Sequence, residues 1–308
     1  MPQTAGVGRV SLDSVADRFN TEISVAVARS VFEQGLARPR LVGIIANEDT
    51  EGEVYARMTK RACEKNGIAF ELRRLDRVVL EAGVIEANED ANVHGIIIYY
   101  PVFGGQIDEY LRDVVSIEKD VEGLNHRYRY ALYHNIRTLG GVAGRAVTAG
   151  KKCIAPCTPL AVIKILESLD AYDRSKPVGR QLTGQTAVVF NRSEVVGRPL
   201  AAMLANDGAR VFSVDEHGML LYSAGAVDGT IKVEETTATQ QEALRDAAIV
   251  VSGVPSKAFQ IQADSIRAGA IAVNFSQHQN FGPGIEERCI FVPAIGKVSF
   301  DQSPPWSP

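Results

Sequence analysis

Short apolar runs alternate with longer stretches of helical period along most of the chain. Residues 41–46 read as a buried strand, 52–66 as a helix ended by Gly67, 69–72 as a second strand and 80–87 as part of a second helix. Residues 95–100 form a third strand, stopped by Pro101. After a loop rich in glycine and charge, Thr158 and Pro159 stand as N-cap and first residue of an apolar helix over 160–169. The alternation then restarts with a strand at 187–190, a helix at 199–206 and Gly208 just beyond it, and a strand at 210–214 that runs into Asp215. Residues 248–252, 270–275 and 290–292 are three further strands. Interleaved strands and helices predict an α/β fold with parallel sheets. Two such series predict two α/β domains flanking a cleft where a cofactor meets a substrate, over residues 1–155 and 156–298. The second is Rossmann-like, with a parallel sheet. Residues 140–150 read as an exposed loop and 299–308 as a proline-rich tail.

Composition narrows the partners. The 308 residues, 45% hydrophobic and 23% charged, suit a soluble chain of about two domains. A formal net charge of -4 gives no basic surface for nucleic acid. The longest apolar runs are far too short to span a bilayer, and the first residues carry no secretory pattern, so the cytoplasm is expected. Cys153 and Cys157 have no second closely spaced pair to complete a zinc site, so no metal is expected.

The candidate chemistry begins at the turn Asn191-Arg192-Ser193-Glu194-Val195-Val196-Gly197-Arg198-Pro199, between a strand and a helix. Backbone N–H groups and the helix dipole favour phosphate there. Gly197 is its only glycine, so Arg192 and Ser193 are the candidate phosphate contacts, as cation and hydroxyl. Asp215, with Glu216 beside it, ends the next strand, where a carboxylate accepts from ribose hydroxyls and repels a 2′-phosphate. That favours NAD over NADP, with Arg210 and His217 as nearby cations pulling the other way. Taken singly, each of these residues also fits an ordinary surface loop; their order favours a nucleotide site. Gly253-Val254-Pro255 and Asn274-Phe275-Ser276 follow strands at the ends where open α/β sheets bind ligands.

Five segments in order resemble the methylenetetrahydrofolate dehydrogenase/cyclohydrolase family across residues 10–298. They are Tyr55 on its helix, Gly95-Ile96-Ile97-Ile98-Tyr99-Tyr100-Pro101, Lys119-Asp120-Val121-Glu122-Gly123, Pro156-Cys157-Thr158-Pro159 and the turn at 191–199. The resemblance implies a folate-binding catalytic first domain with Tyr55, Thr59 and Tyr99 against substrate, and Glu122 and Cys157 as catalytic candidates. It also places NAD along the loops at 253–255 and 274–276 and implies a homodimer acting in one-carbon metabolism and purine biosynthesis. Departures point to the NAD-dependent, dehydrogenase-only branch of yeast-type fungi. The cyclohydrolase lysine of bifunctional members is Thr59, and Lys60 lies about 100° around the helix. Their glutamine is Tyr99, their aspartate is Glu122, and their Gly-Arg-Ser is Asn191-Arg192-Ser193.

Plainer readings stay open at this point. Tyr55 also fits the core side of its helix, Glu122 a solvated cluster with Lys119 and Asp120, and Cys157 a small buried helix-start residue. His94, His126 and His134 match no catalytic arrangement. The family's C-terminal helix should follow residue 298, but Pro304, Pro305 and Pro308 cannot build it. A protein that binds NAD or folate without useful turnover is therefore an alternative. A dehydrogenase for small hydroxy or amino acids would want a histidine or lysine base that the sequence does not present.

Overall fold

The computed structural model describes residues 6–46, 50–141, 151–225, 230–293 and 295, the side chains of 50 and 51 excepted. Most of the loop expected at 140–150, and the tail at 299–308, lie outside the described residues. The chain forms two compact units, one of residues 16–130 and one of 131–299 together with 1–15. The second unit thus begins before residue 156, and it recruits the N-terminus through a strand pairing. A short strand β1 (Gly8–Arg9) comes first, followed by a long helix α1 (Asp13–Phe32).

The unit of residues 16–130 is built on β2 (Arg40–Ile45), α2 (Thr50–Lys65), β3 (Ala69–Arg74), α3 (Leu80–Glu89), β4 (Gly95–Ile98) and α4 (Gln106–Val114), with α5 (His126–Tyr133) at its end. Its three strands are parallel in the order β3-β2-β4. Strand alternation sends Ile96 and Ile98 into one core with Leu80, Val84, Ala87 and Leu111. Ile97 and Tyr99 enter the other, with Ile45 and Ala56. Gly67 ends α2 with φ of 76°, the left-handed conformation that glycine adopts without strain.

The second unit continues with α6 (Cys157–Ser168), β5 (Thr186–Phe190), α7 (Gly197–Asn206), β6 (Arg210–Asp215), β7 (Gly218–Ala224), β8 (Ile231–Glu235), α8 (Gln240–Asp246), β9 (Ile249–Ser252), β10 (Ile271–Asn274), α9 (Ile285–Arg288) and β11 (Ile290–Val292). The sheet order is β1-β11-β10-β9-β5-β6-β7-β8. Strands β1 to β6 in that row are parallel, and β1 joins through Gly8 and Arg9 opposite Ile290 and Phe291. The sheet is therefore not purely parallel: β7 and β8 form an antiparallel hairpin on its edge. A tight turn makes this possible, because Asp215 pairs with Gly218, the His217 N–H donates to Asp215 Oδ1 at 2.8 Å, and Gly218 takes φ of 121°.

Helix α6 begins at Cys157 with Pro156 before it, where Thr158 was expected as N-cap. The Leu160 N–H donates to Pro156 O at 3.0 Å, the first bond of the helix. Pro159 still falls in the first turn, where its missing donor costs nothing.

Candidate active site

Strand β5 has its chain successor β6 on one side and β9 on the other, so the winding direction reverses between β5 and β9. Open α/β sheets take nucleotides at such a point, beyond the carboxyl ends of the strands. The turn at 191–197 follows β5, Asp215 ends β6, Gly253-Val254-Pro255 follows β9, and Asn274-Phe275-Ser276 follows β10. Because these four strands are contiguous and parallel, all four segments stand on one edge.

The turn is shaped by close backbone approach. A Cβ on Gly197 would overlap the carbonyl group of Asn191 and lie 2.7 Å from its Oδ1, so glycine is required where α7 starts against the end of β5. Ser193 does not stand free: its Oγ accepts from the N–H groups of Val196 at 3.2 Å and Gly197 at 3.4 Å. Its own N–H donates to Asn191 Oδ1 at 2.9 Å. Asn191 Nδ2 in turn donates to Gly253 O at 3.0 Å, tying the two switch-point loops together. Gly253 is packed closely too, since a Cβ there would overlap the Phe275 ring unless the ring turned aside.

Arg192 departs most from the sequence expectation. It pairs with Asp215 Oδ2 at 3.0 Å and donates to Ser213 O at 2.8 Å and Gly218 O at 2.7 Å. Glu216 and His217 are exposed beside it and 3.5 Å from each other. Arg210 lies 4.8 Å over the Phe212 ring, on its own strand.

In the first unit, Tyr55 is 38% exposed, which rules out the core side of α2. Thr59 is 4% exposed and its Oγ1 donates to Tyr55 O at 3.0 Å, within the helix. Lys60 is exposed and 3.8 Å from Glu64, so it does not take the place of the missing lysine. Tyr99 is buried in the core on the α2 side of the sheet, just past β4.

Glu122 is not part of a solvated charge cluster. Its loop runs along the open edge of β4, where Ile96 pairs with Asp120 and the Ile96 N–H donates to Lys119 O at 2.7 Å. Two residues on, the Ile98 N–H serves the Glu122 carboxylate. Burial pushes the Glu122 carboxyl up to about 8, the Asp120 charge adds to this, and the Ile98 N–H and Arg112 oppose it. Asp120 is buried and accepts from the N–H groups of Glu122, Gly123 and Asn125 at 2.8–2.9 Å, so it shapes the loop. Burial raises its pKa against those bonds. Lys119 Nζ closes the end of α3 by donating to the carbonyls of Ala87, Asn88 and Asp90 at 2.7–3.1 Å.

Cys157 is half-buried at the first position of α6, and Cys153 is half-buried four residues before it. Among the described residues no group of three His, Cys, Asp or Glu side chains is placed to hold a metal ion. His94 Nδ1 accepts from the Arg40 N–H at 3.2 Å, a structural contact.

Several supporting residues carried no readable signal. Asn280 is fully buried and orders the loop after β9: its Oδ1 accepts from Ser252 Oγ and the Val254 N–H, and its Nδ2 donates to Val254 O, at 2.8–3.0 Å. Asn274 Nδ2 donates to the carbonyls of Ser276, His278 and Pro293 at 3.0–3.3 Å. Asp108 Oδ1 and Oδ2 accept from the N–H groups of Val102, Phe103 and Gly104 at 2.9–3.1 Å. Arg112 and Arg129 share the carboxylate of Glu109, and Arg112 stacks 5.0 Å over the Tyr100 ring.

Known proteins align with this framework over nearly its whole length. The profile of the tetrahydrofolate dehydrogenase/cyclohydrolase catalytic domain matches residues 10–122, and that of the NAD(P)-binding domain matches residues 156–284. The methylenetetrahydrofolate dehydrogenase [NAD(+)] of Dictyostelium discoideum is 46% identical over 292 residues, covering 95% of this chain and 90% of its own. The enzyme of the same name from Saccharomyces cerevisiae is 42% identical over 301 residues, covering 95% and 92%. The solved structure of the NAD-dependent 5,10-methylenetetrahydrofolate dehydrogenase of Saccharomyces cerevisiae superposes with a TM-score of 0.87 at 39% identity, covering 96% of this chain and 94% of its own.

Proposed function

Because the chain belongs to the tetrahydrofolate dehydrogenase/cyclohydrolase family, we propose that it oxidises 5,10-methylenetetrahydrofolate to the 5,10-methenyl cation with NAD, without a cyclohydrolase step. The observation that carries the cofactor assignment is Asp215, held at the end of β6 on the edge where the sheet changes direction. The residues present fit NAD. Gly197 and Gly253 bring bare backbone to that edge, and Asp215 offers a carboxylate to ribose hydroxyls where a 2′-phosphate would be repelled. NAD, when bound, supplies the hydride acceptor.

The chain's own part is positioning and charge, since loss of a hydride requires no proton transfer. Glu122, when ionised, offsets the positive charge that the folate gains. Tyr55 contributes aromatic surface to the folate, while Tyr99, buried in the core, presents almost none. Cyclohydrolysis needs water activated beside that cation, and an amine on α2 is the family's means. The Thr59 hydroxyl is already committed to the Tyr55 carbonyl and Lys60 faces solvent, so neither of them replaces that amine. Cys157, at the start of α6, is the second catalytic candidate beside Glu122.

Two assays test the reading. NADH formation with methylenetetrahydrofolate is expected to exceed NADPH formation clearly, and a preference for NADP overturns the cofactor assignment. A folded protein with no turnover favours a binding-only role. Methenyl hydrolysis by the pure protein is expected to stay at the buffer rate; a rate comparable with NAD reduction overturns the monofunctional assignment. Family membership further supports a cytoplasmic homodimer that works in one-carbon metabolism and feeds purine biosynthesis. No described helix is long and apolar enough to cross a membrane, and the net charge of -4 argues against nucleic acid as a partner.

A further inference from the structure

We infer that Arg192 acts on the cofactor through Asp215, as the residue that positions the ribose-binding carboxylate, and not as a phosphate ligand. This deepens the NAD assignment above and rests on it. An arginine has five N–H donors and no acceptor. Here Nε reaches Ser213 Oγ at 3.4 Å, Nη2 donates to Ser213 O at 2.8 Å and Gly218 O at 2.7 Å, and Nη1 pairs with Asp215 Oδ2 at 3.0 Å. One Nη1 hydrogen is left, and the side chain is 9% exposed.

The partners lie at both ends of one turn. Ser213 and Asp215 are on β6, Gly218 opens β7, and Asp215 stands opposite Gly218 in the antiparallel register. One guanidinium therefore clamps the β6–β7 hairpin at the point where the carboxylate is presented. The His217 N–H fixes Oδ1 and Arg192 fixes Oδ2, leaving the remaining lone pairs of both oxygens for two ribose hydroxyls. A phosphate could take a two-pronged contact from Arg192 only by displacing Asp215 or one of the two carbonyls, since a single Nη1 hydrogen is left. The clamp thus sets cofactor preference twice: it orients the acidic group that selects NAD, and it withdraws the cation that would otherwise welcome a further phosphate.

The test is a double-mutant cycle on the KM for NAD at saturating folate, using wild type, Arg192→Met, Asp215→Asn and the double variant. Removing one charged hydrogen bond to ribose corresponds to about a tenfold or larger rise in KM, so both single variants are expected to show it with kcat little changed. The double variant should be no worse than Asp215→Asn alone, because Arg192 then has no carboxylate to position. Arg192→Lys, which keeps charge but lacks the fork, should fall between wild type and Arg192→Met. Effects that multiply, giving about a hundredfold rise in the double variant, mean independent contacts and overturn the inference. If Arg192→Met does not fold, the same comparison is made with Arg192→Lys in the wild-type and Asp215→Asn backgrounds. The NAD preference of the wild type is measured first, so loss of the cofactor assignment is told apart from loss of the clamp.

Discussion

Replacing Gly197 by alanine is expected to abolish NAD-dependent turnover and to lower the melting temperature. A methyl group at this position overlaps the Asn191 carbonyl and approaches Asn191 Oδ1. The obstacle is backbone, so no side chain can swing away. Asn191 itself is fixed by its N–H bond to Val214 O at 3.1 Å and by Nδ2 on Gly253 O. Moving it disturbs the ends of β5 and β6 and the loop after β9 together. Forced overpacking of this kind costs about 1–3 kcal/mol and more where backbone must shift. Gly253→Ala is a useful contrast, because the overlapping group there is the Phe275 ring, which can rotate. Melting temperature and NAD affinity measured by direct binding should fall in the order wild type, Gly253→Ala, Gly197→Ala. A Gly197→Ala protein with wild-type melting and NAD affinity would contradict the close-approach argument.

Gly197 also shows what was legible in the chain. The strands of the second unit and the acidic end of β6 follow from short apolar runs and their punctuation, and these alone bring four loops to one edge. Helix α1 was not readable in the same way, because its buried stripe of Ala16, Asn20, Ile23 and Val27 is short on large apolar residues. The β7–β8 hairpin was missed because its strands sit at the sheet edge, where β8 is mostly exposed and lacks the buried run of a central strand. Residue type told less about the site than geometry did. Arg192 was read as a phosphate contact because an arginine in such a turn has donors to offer; only the fold shows where they go. Lys119 and Asp120 looked like surface charge, yet one closes α3 and the other shapes the Glu122 loop. Asn280 orders the loop after β9 from 28 and 26 residues away along the chain, at Ser252 and Val254, a relation that no local pattern encodes.

Glu122→Gln is expected to lower kcat/KM for the folate by on the order of 10²–10³, the loss typical of removing one electrostatic partner from a developing charge. The KM for NAD should hardly change. The substitution preserves shape and an acceptor for the Ile98 N–H, so what it removes is the negative charge. The pH dependence makes the argument specific. Glu122 ionises near 8 because burial and the Asp120 charge outweigh the Ile98 N–H and Arg112, with the buried Tyr100 phenol in the same surroundings. Wild-type kcat/KM should therefore rise as pH passes through about 8, and that limb should vanish in Glu122→Gln. Stability runs the other way. A carboxyl raised in the fold above its unfolded value of about 4.3 favours the native state in its neutral form. That contribution is fully present below the unfolded value and is lost as pH rises through about 8. Urea melts at pH 5, 7 and 9 should show the variant gaining on the wild type as pH rises. Opposite slopes of activity and stability, both erased by one amide, identify a carboxylate kept in a poorly solvated place for its charge. A variant that keeps the activity limb, or a wild type whose stability relative to Glu122→Gln is constant over that range, would remove Glu122 from the reaction.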